Sequence, residues 1–160
     1  MNIEDYNVNI FKKFDKEWAL VTAGDINNFN TMTISWGSLG TLWNKPVVTI
    51  YIRESRYTHE FLLKNDYFTV SFYSDEYKKD LVLLGSKSGR DTEKIKLTNL
   101  TPKNLNNTIT FNEANTTIVC KKLYASNMDA NAIPNDIKDN LYKDNDTHTM
   151  FIGEVIDILE

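Results

Sequence analysis

The chain has 160 residues, a formal charge of −4 and a pI near 5.2, with 41% hydrophobic and 25% charged residues. This predicts one globular domain able to bury its own core, too acidic to favour nucleic acid and without an apolar run of membrane-spanning length. The single cysteine, Cys120, excludes an internal disulfide, and the two histidines, His59 and His148, match no zinc-site spacing, so no metal site is expected.

The first residues, MNIEDYNVNIFKKF, lack the uninterrupted apolar core of a signal peptide, which predicts a cytoplasmic protein. Without an export signal, Asn-x-Thr triplets such as those at Asn106, Asn115 and Asn145 carry no weight. No linker or internal repeat divides the chain. Nineteen asparagines and fifteen lysines stand against only three arginines, which makes the position of each arginine informative.

Strand-like segments begin with WALVT (18–22), closed by a turn signal at Ala23-Gly24-Asp25, and TMTISW (31–36), which alternates polar with apolar residues. VVTIYI (47–52) follows Pro46, a residue suited to the start of a strand. THEFLLK (58–64) reads as a helix with Thr58 as its N-cap and Glu60 in its first turn. YFTVSFY (67–73) is a strongly β-prone run, and EYKKDLVLL (76–84) a helix stopped at Gly85. Further strands fall at 108–111, 116–125 and 150–159, with a short helix from Pro134 to Tyr142. The isolated Gly37-Ser-Leu-Gly40 pattern is too common to assign. Six or seven short strands with two or three helices predict a mainly β fold, an antiparallel barrel with helical decoration.

The catalytic inventory is thin. There is no nucleophile elbow, dinucleotide fingerprint or Walker loop, and Cys120 within TTIVCKK reads as a buried, inert thiol. An enzyme of this composition would borrow its reactive atoms from a cofactor. Two segments could hold an anionic one. RESRYT (53–58) joins a strand end to a helix start, and SKSGRD (86–91) is followed by Lys94; all three arginines lie in these two segments. The alternative readings are a helix cap supplied by Ser55 or Thr58, and a solvated polar loop. A third segment, NTMTISWG (30–37), could lay donors and the face of Trp36 along a flat heteroaromatic ring. Composition favours the other reading, with Trp36 and Trp43 as core aromatics.

Taken in order, WALVTAG, N-x-MTISWGSLG-x-LW-x-KPV, IR-x-SRYT-x-EFL, LGSKSGRD-x-x-K and HTMFIGEV resemble the flavin reductase-like family, which includes the flavoredoxins. The resemblance implies an FMN-binding split β-barrel, dimeric with a second copy of itself, holding FMN non-covalently near the subunit interface. It places Ser55, Arg56 and Thr58, with Ser88, Arg90 and Lys94, on the phosphate. It lays Asn30, Met32, Thr33, Ser35 and Trp36 along the isoalloxazine and ribityl chain. His148 matches a family histidine beside the flavin, at the open face where the nicotinamide of NADH or NADPH could stack, although a structural role for it stays open. His59, on the helix after Thr58, reads as a solvated residue.

Members of the family commonly continue past the GEV strand with a segment that can reach the flavin, and residues 127–146 match no motif. The substrate side of the pocket is therefore the least defined. Three functional readings share the cradle: an NAD(P)H-dependent FMN reductase, an FMN electron carrier reduced by a protein partner, and a flavin-binding protein without catalysis. FAD could replace FMN, although the phosphate cradle fits FMN more simply.

Overall fold

A computed structural model describes all 160 residues, Met1–Glu160. Seven strands form one antiparallel sheet in the order β2-β1-β5-β8-β9-β4-β3, which curls but does not close. They are β1 (Ala19–Asp25), β2 (Asn28–Ile34), β3 (Gly37–Leu42), β4 (Lys45–Arg53), β5 (Tyr67–Phe72), β8 (Thr116–Asn127) and β9 (His148–Leu159). A separate hairpin pairs β6 (Pro102–Asn104) with β7 (Ile109–Phe111). Four α-helices, α1 (Ile10–Lys12), α2 (Tyr57–Lys64), α3 (Lys78–Ser86) and α4 (Asn135–Leu141), and several short 3-10 or π-helical turns complete the chain. No helix is long and apolar enough to cross a membrane.

The alternation of β1 explains the two cores. Ala19, Val21 and Ala23 face the interior of the curled sheet, with Val48, Ile50, Phe68, Val70, Ile118 and Phe151. Leu20 points the other way, into a second cluster with Leu81 and Leu84 of α3, Leu100 and Phe111. β1 is thus buried on both faces, and its run of apolar residues follows from that. β8 and β9 each span twelve residues, and their pairing shifts register at Val119/Cys120 and again at Lys122/Tyr124. Such bulges bend a strand and let a long pair wrap a small core. Gly153 of the GEV motif lies where a Cβ would sit 2.6 Å from the Phe68 ring, so a side chain there would displace the core.

Several expectations change. β1 does not turn at Gly24 but continues through Asp25; the turn is Ile26-Asn27, held by the Asp25 carboxylate accepting from the Asn27 and Asn28 amides. The unassigned Gly37–Gly40 segment is the edge strand β3, its ladder to β4 supplying what the glycines lack in propensity. Gly85 does not stop α3, which runs on through Ser86. Trp36 and Trp43 are not core aromatics: they are 43% and 61% exposed. Cys120 is fully buried, and burial pushes its thiol far above the ordinary range.

Candidate cofactor site

β4 delivers Arg53 to the rim of the sheet, and the chain turns through Glu54 and Ser55 into α2. Arg56, extended, occupies the N-cap position without capping through its side chain. Thr58 is not the cap. It lies in the first turn, and its hydroxyl accepts from Asn30 Nδ2 at 2.8 Å in a buried contact. This bond ties α2 to β2. The amides of Tyr57 and Thr58 have no backbone acceptor, as expected for a helix start.

Facing this turn is the end of α3 and the loop after it. The Arg56 guanidinium donates to the Gly85 carbonyl at 2.7 Å, and Thr33 of β2 donates to the Leu81 carbonyl. Lys94, 4% exposed, donates to the carbonyls of Leu84 and Lys87, both at 3.0 Å. Two of its three protons are thereby used. Burial, reinforced by the nearby Arg56 cation, lowers the Lys94 pKa to about 8. Neither Arg56 nor Lys94 forms a salt bridge with a carboxylate.

Between these elements lies a cavity of about 90 Å³. Of the residues expected on a phosphate, it is lined by Ser55, Arg56, Thr58, Ser88 and Lys94, together with Asn30 and Met32 of β2. Gly89 forms part of its wall, where a Cβ would stand 2.1 Å from Asn30 Oδ1, so only glycine lets the loop close on β2. Arg90 does not line the cavity. Its guanidinium pairs with Glu60, donates to the Ser55 carbonyl at 3.1 Å and stacks over the Tyr57 ring at 4.9 Å. Arg53 is also turned elsewhere, donating to the carbonyls of Leu141 and Asp146.

Beyond Met32, β2 leads to Thr33, Ser35 and Trp36. Thr33 and Ser35 line a groove of about 270 Å³ against Leu81, Gly85 and Ser86 of α3. Ser86 borders both this groove and the smaller cavity, so the two are neighbours. The half-exposed ring of Trp36 lies 5.2 Å from that of His148. Trp36 and His148, 112 positions apart, therefore meet where the chain leaves β2 and β9 begins.

The structure also supplies partners that no motif announced. Asp146 accepts from the Ser55 amide at 3.1 Å and from the Ser55 hydroxyl. The Tyr142 hydroxyl touches His148 Nδ1. Both belong to the end of the 127–146 region or its border, and their only sequence signal is proximity to His148. His59 is not solvated. It is 8% exposed, packed on Phe151, with Nε2 at 2.7 Å from Thr149 Oγ1. Thr149 gives its own proton to Asn127, so His59 must donate, which fixes the proton at Nε2. That bond anchors α2 to β9.

The family model described as the flavin reductase like domain matches residues 11–160. Among solved structures, the fold is similar to the FMN-binding protein from Thermus thermophilus with bound 1-cyclohex-2-enone: TM-score 0.70, 22% identity, 89% of this chain and 69% of that one. Flavoredoxin from Methanosarcina acetivorans gives TM-score 0.68 at 22% identity, covering 90% and 68%. A protein with a split barrel domain from Shewanella frigidimarina gives 0.70 at 18%, covering 89% and 66%. No curated protein matches in sequence. The open seven-stranded sheet is thus a split barrel, and with nearly its whole length matched by the family model, the chain belongs to the flavin reductase-like domain family.

Proposed function

We propose that this chain binds FMN and acts in the cytoplasm as an NAD(P)H-dependent flavin reductase, working as a homodimer. The observation that carries the reading is the small polar cavity in which two unpaired cations, Arg56 and Lys94, face the free amides that open α2. A dianionic phosphate supplies what that cavity lacks: charge for both cations and acceptors for the amides. The fit is chemical as well as spatial. Lys94 keeps one proton undirected, and Arg56 uses its guanidinium for a single bond.

FMN would supply the redox chemistry itself, taking hydride from the nicotinamide and holding the electrons. The chain's residues do the rest. Arg56, Lys94, Ser55 and Ser88 would hold the phosphate, and Asn30, fixed by Thr58, would keep β2 at its distance from the loop. Arg90 would support the cradle from outside, by holding the Ser55 carbonyl and Tyr57. Thr33 and Ser35 border the groove against α3, and Ser35 also borders the depression lined by Trp36, whose exposed face would offer an apolar wall. His148 beside it would orient the nicotinamide. Such a transfer depends on stacking and distance, not on an acid or base, in keeping with the sparse catalytic inventory.

The homodimer reading is supported by the two open sheet edges, β2 and β3, and by the exposed aromatics Phe11, Trp36 and Trp43. Phe11, Trp36 and Tyr51 line one large depression of about 770 Å³. A second copy would cover it.

The test is anaerobic mixing of the FMN-loaded protein with NADH and with NADPH, followed by absorbance. Bleaching of the flavin band by either is expected. Failure with both would point to a protein donor and an electron-carrier role. Absence of any flavin retention would end the reading altogether.

A further inference from the structure

The donors around the small polar cavity are not equally free. Thr58 accepts from Asn30 and directs its own proton to no other acceptor. Ser88 accepts from the Arg90 amide at 3.2 Å and likewise keeps its hydroxyl proton uncommitted. Ser55 differs. Both of its protons go to one carboxylate: Asp146 takes the amide at 3.1 Å and the hydroxyl as well. A serine hydroxyl has a single proton, so while Asp146 holds it only lone pairs are left to face the cavity that Ser55 lines. Lone pairs repel an anion. Ser55 can serve a phosphate only after its hydroxyl turns away from Asp146.

Asp146 is held in place while that happens. Its own amide donates to the Asp144 carboxylate at 3.1 Å, and its carbonyl accepts from Arg53 at 2.6 Å. The backbone is thus fixed on both sides, two residues before β9 begins. The Asp146 carboxylate makes no salt bridge, so no neighbouring cation neutralises it. Its charge reaches the cradle: burial and then the Arg53 cation lower the Arg56 pKa, and Asp146 opposes them. An anion close enough to act on Arg56 also repels a dianion bound by Arg56.

We infer that Asp146 sets how strongly the cradle prefers a phosphorylated ligand, by competing with the phosphate for the Ser55 hydroxyl. The inference rests on the proposed flavin site and concerns the hold on its phosphate end alone. Binding moves one hydrogen bond: the Ser55 Oγ–H leaves the carboxylate and donates to a phosphate oxygen, while the Ser55 amide stays on Asp146. No covalent bond changes and no proton moves to another atom. The carboxylate lowers affinity for the phosphate and not for the ring, which makes Asp146 a specificity-determining residue outside the cavity it controls.

The experiment titrates the flavin-free protein with FMN and with riboflavin, which has the same ring and ribityl chain but no phosphate, reading flavin fluorescence. The proteins are the wild type, Asp146→Asn, Ser55→Ala and the double variant, with circular dichroism as the check of fold. Asparagine keeps the shape of the side chain and removes its charge. Asp146→Asn is expected to bind FMN about tenfold more tightly and riboflavin within about twofold of the wild type. In the Ser55→Ala background the gain should shrink to about twofold, because no hydroxyl remains to compete for. FMN affinity unchanged or weakened in Asp146→Asn would overturn the inference, as would an equal gain for riboflavin. A gain of about tenfold that persists with Ser55→Ala would overturn it too, since Asp146 would then act as a distant charge without competing for the hydroxyl. Retention of neither flavin by the wild type or the variants would overturn the flavin site itself, and the inference with it.

Discussion

The Tyr142 hydroxyl lies 2.6 Å from Nδ1 of His148, with both side chains buried. The hydroxyl has no second acceptor, so it donates, and the imidazole carries its proton at Nε2. Arg53 closes the arrangement from behind, its guanidinium 5.0 Å from the Tyr142 ring centroid. Burial, and next the Arg53 cation, lower the His148 pKa to about 4 against a weaker opposing pull from Asp146. The folded value is below the unfolded one near 6.5, so the unfolded state takes up the proton first. His148 therefore favours folding least at acid pH: stability falls as pH drops from about 6.5 towards 4. Nitrogen-15 NMR should find one neutral tautomer, protonated at Nε2, down to about pH 4. Tyr142→Phe should mix the tautomers and cost about 1 kcal/mol. A ring titrating near 6.5 in the wild type would contradict the arrangement.

Thr58→Ala tests the bond that ties α2 to β2. Removing the hydroxyl leaves the buried Asn30 amide without its partner, at a cost of about 1–3 kcal/mol in chemical denaturation. Thr58→Ser restores the acceptor and should recover most of that. A Thr58→Ala variant as stable as the wild type would show that Asn30 finds another partner.

Gly89→Ala tests the loop closure. The added Cβ would meet Asn30 Oδ1 at 2.1 Å, so the loop must lift off β2 and widen the polar cavity. Flavin affinity should fall by about tenfold or more while the melting temperature changes little, since the loop contributes little to either core. Unchanged affinity would mean that the loop does not close on the ligand.

The strands and the ligand segments were legible for different reasons. VVTIYI, YFTVSFY and TTIVCKK are β-branched and aromatic enough to announce themselves, and the structure places strands on all three. β3 was not legible, because GSLG has no intrinsic preference and becomes a strand only through its ladder to β4. The gathering of Ser55, Arg56 and Thr58 with Ser88 and Lys94 follows the order of the motifs, yet their individual duties do not. Nothing in RESRYT distinguishes Arg56, which faces the cavity, from Arg53, which locks the 141–146 turn. His59 looked solvated because it stands between Thr58 and Glu60 in the polar first turn of its helix, whereas β9 covers that face. Long-range packing decided each of these.

If Lys94 holds the flavin phosphate, flavin binding should depend on pH. With its pKa lowered to about 8 by burial and by Arg56, the ammonium deprotonates in mildly alkaline solution when no anion faces it. A bound phosphate would hold the proton on, so flavin affinity should decline as pH rises above about 8. Folding has the opposite dependence. The folded pKa is below the unfolded value near 10.4, so the unfolded state binds more protons between the two, and this residue's contribution to stability rises with pH across that window. Lys94→Met should abolish the decline in affinity and bind flavin weakly at all pH values. An affinity flat from pH 7 to 9.5 in the wild type would exclude the ammonium from the phosphate.

The hairpin between β3 and β4 turns on two residues only, Trp43 and Asn44, with φ of 52° and 58°. Both values lie in the left-handed region that a two-residue hairpin requires, and asparagine tolerates it well. Tryptophan does not: a bulky residue held there costs about 1–2 kcal/mol. Trp43 is also 61% exposed, so neither core packing nor turn preference explains it. Contact with a second copy of the chain would offset both costs. Trp43→Asn should therefore raise the stability of dilute protein by about 1 kcal/mol and at the same time weaken self-association. Denaturation at low concentration and sedimentation velocity across a concentration series separate the two effects. A variant that sediments as the wild type does would place the turn outside any dimer contact, and an unchanged denaturation midpoint would show that the tryptophan carries no backbone strain.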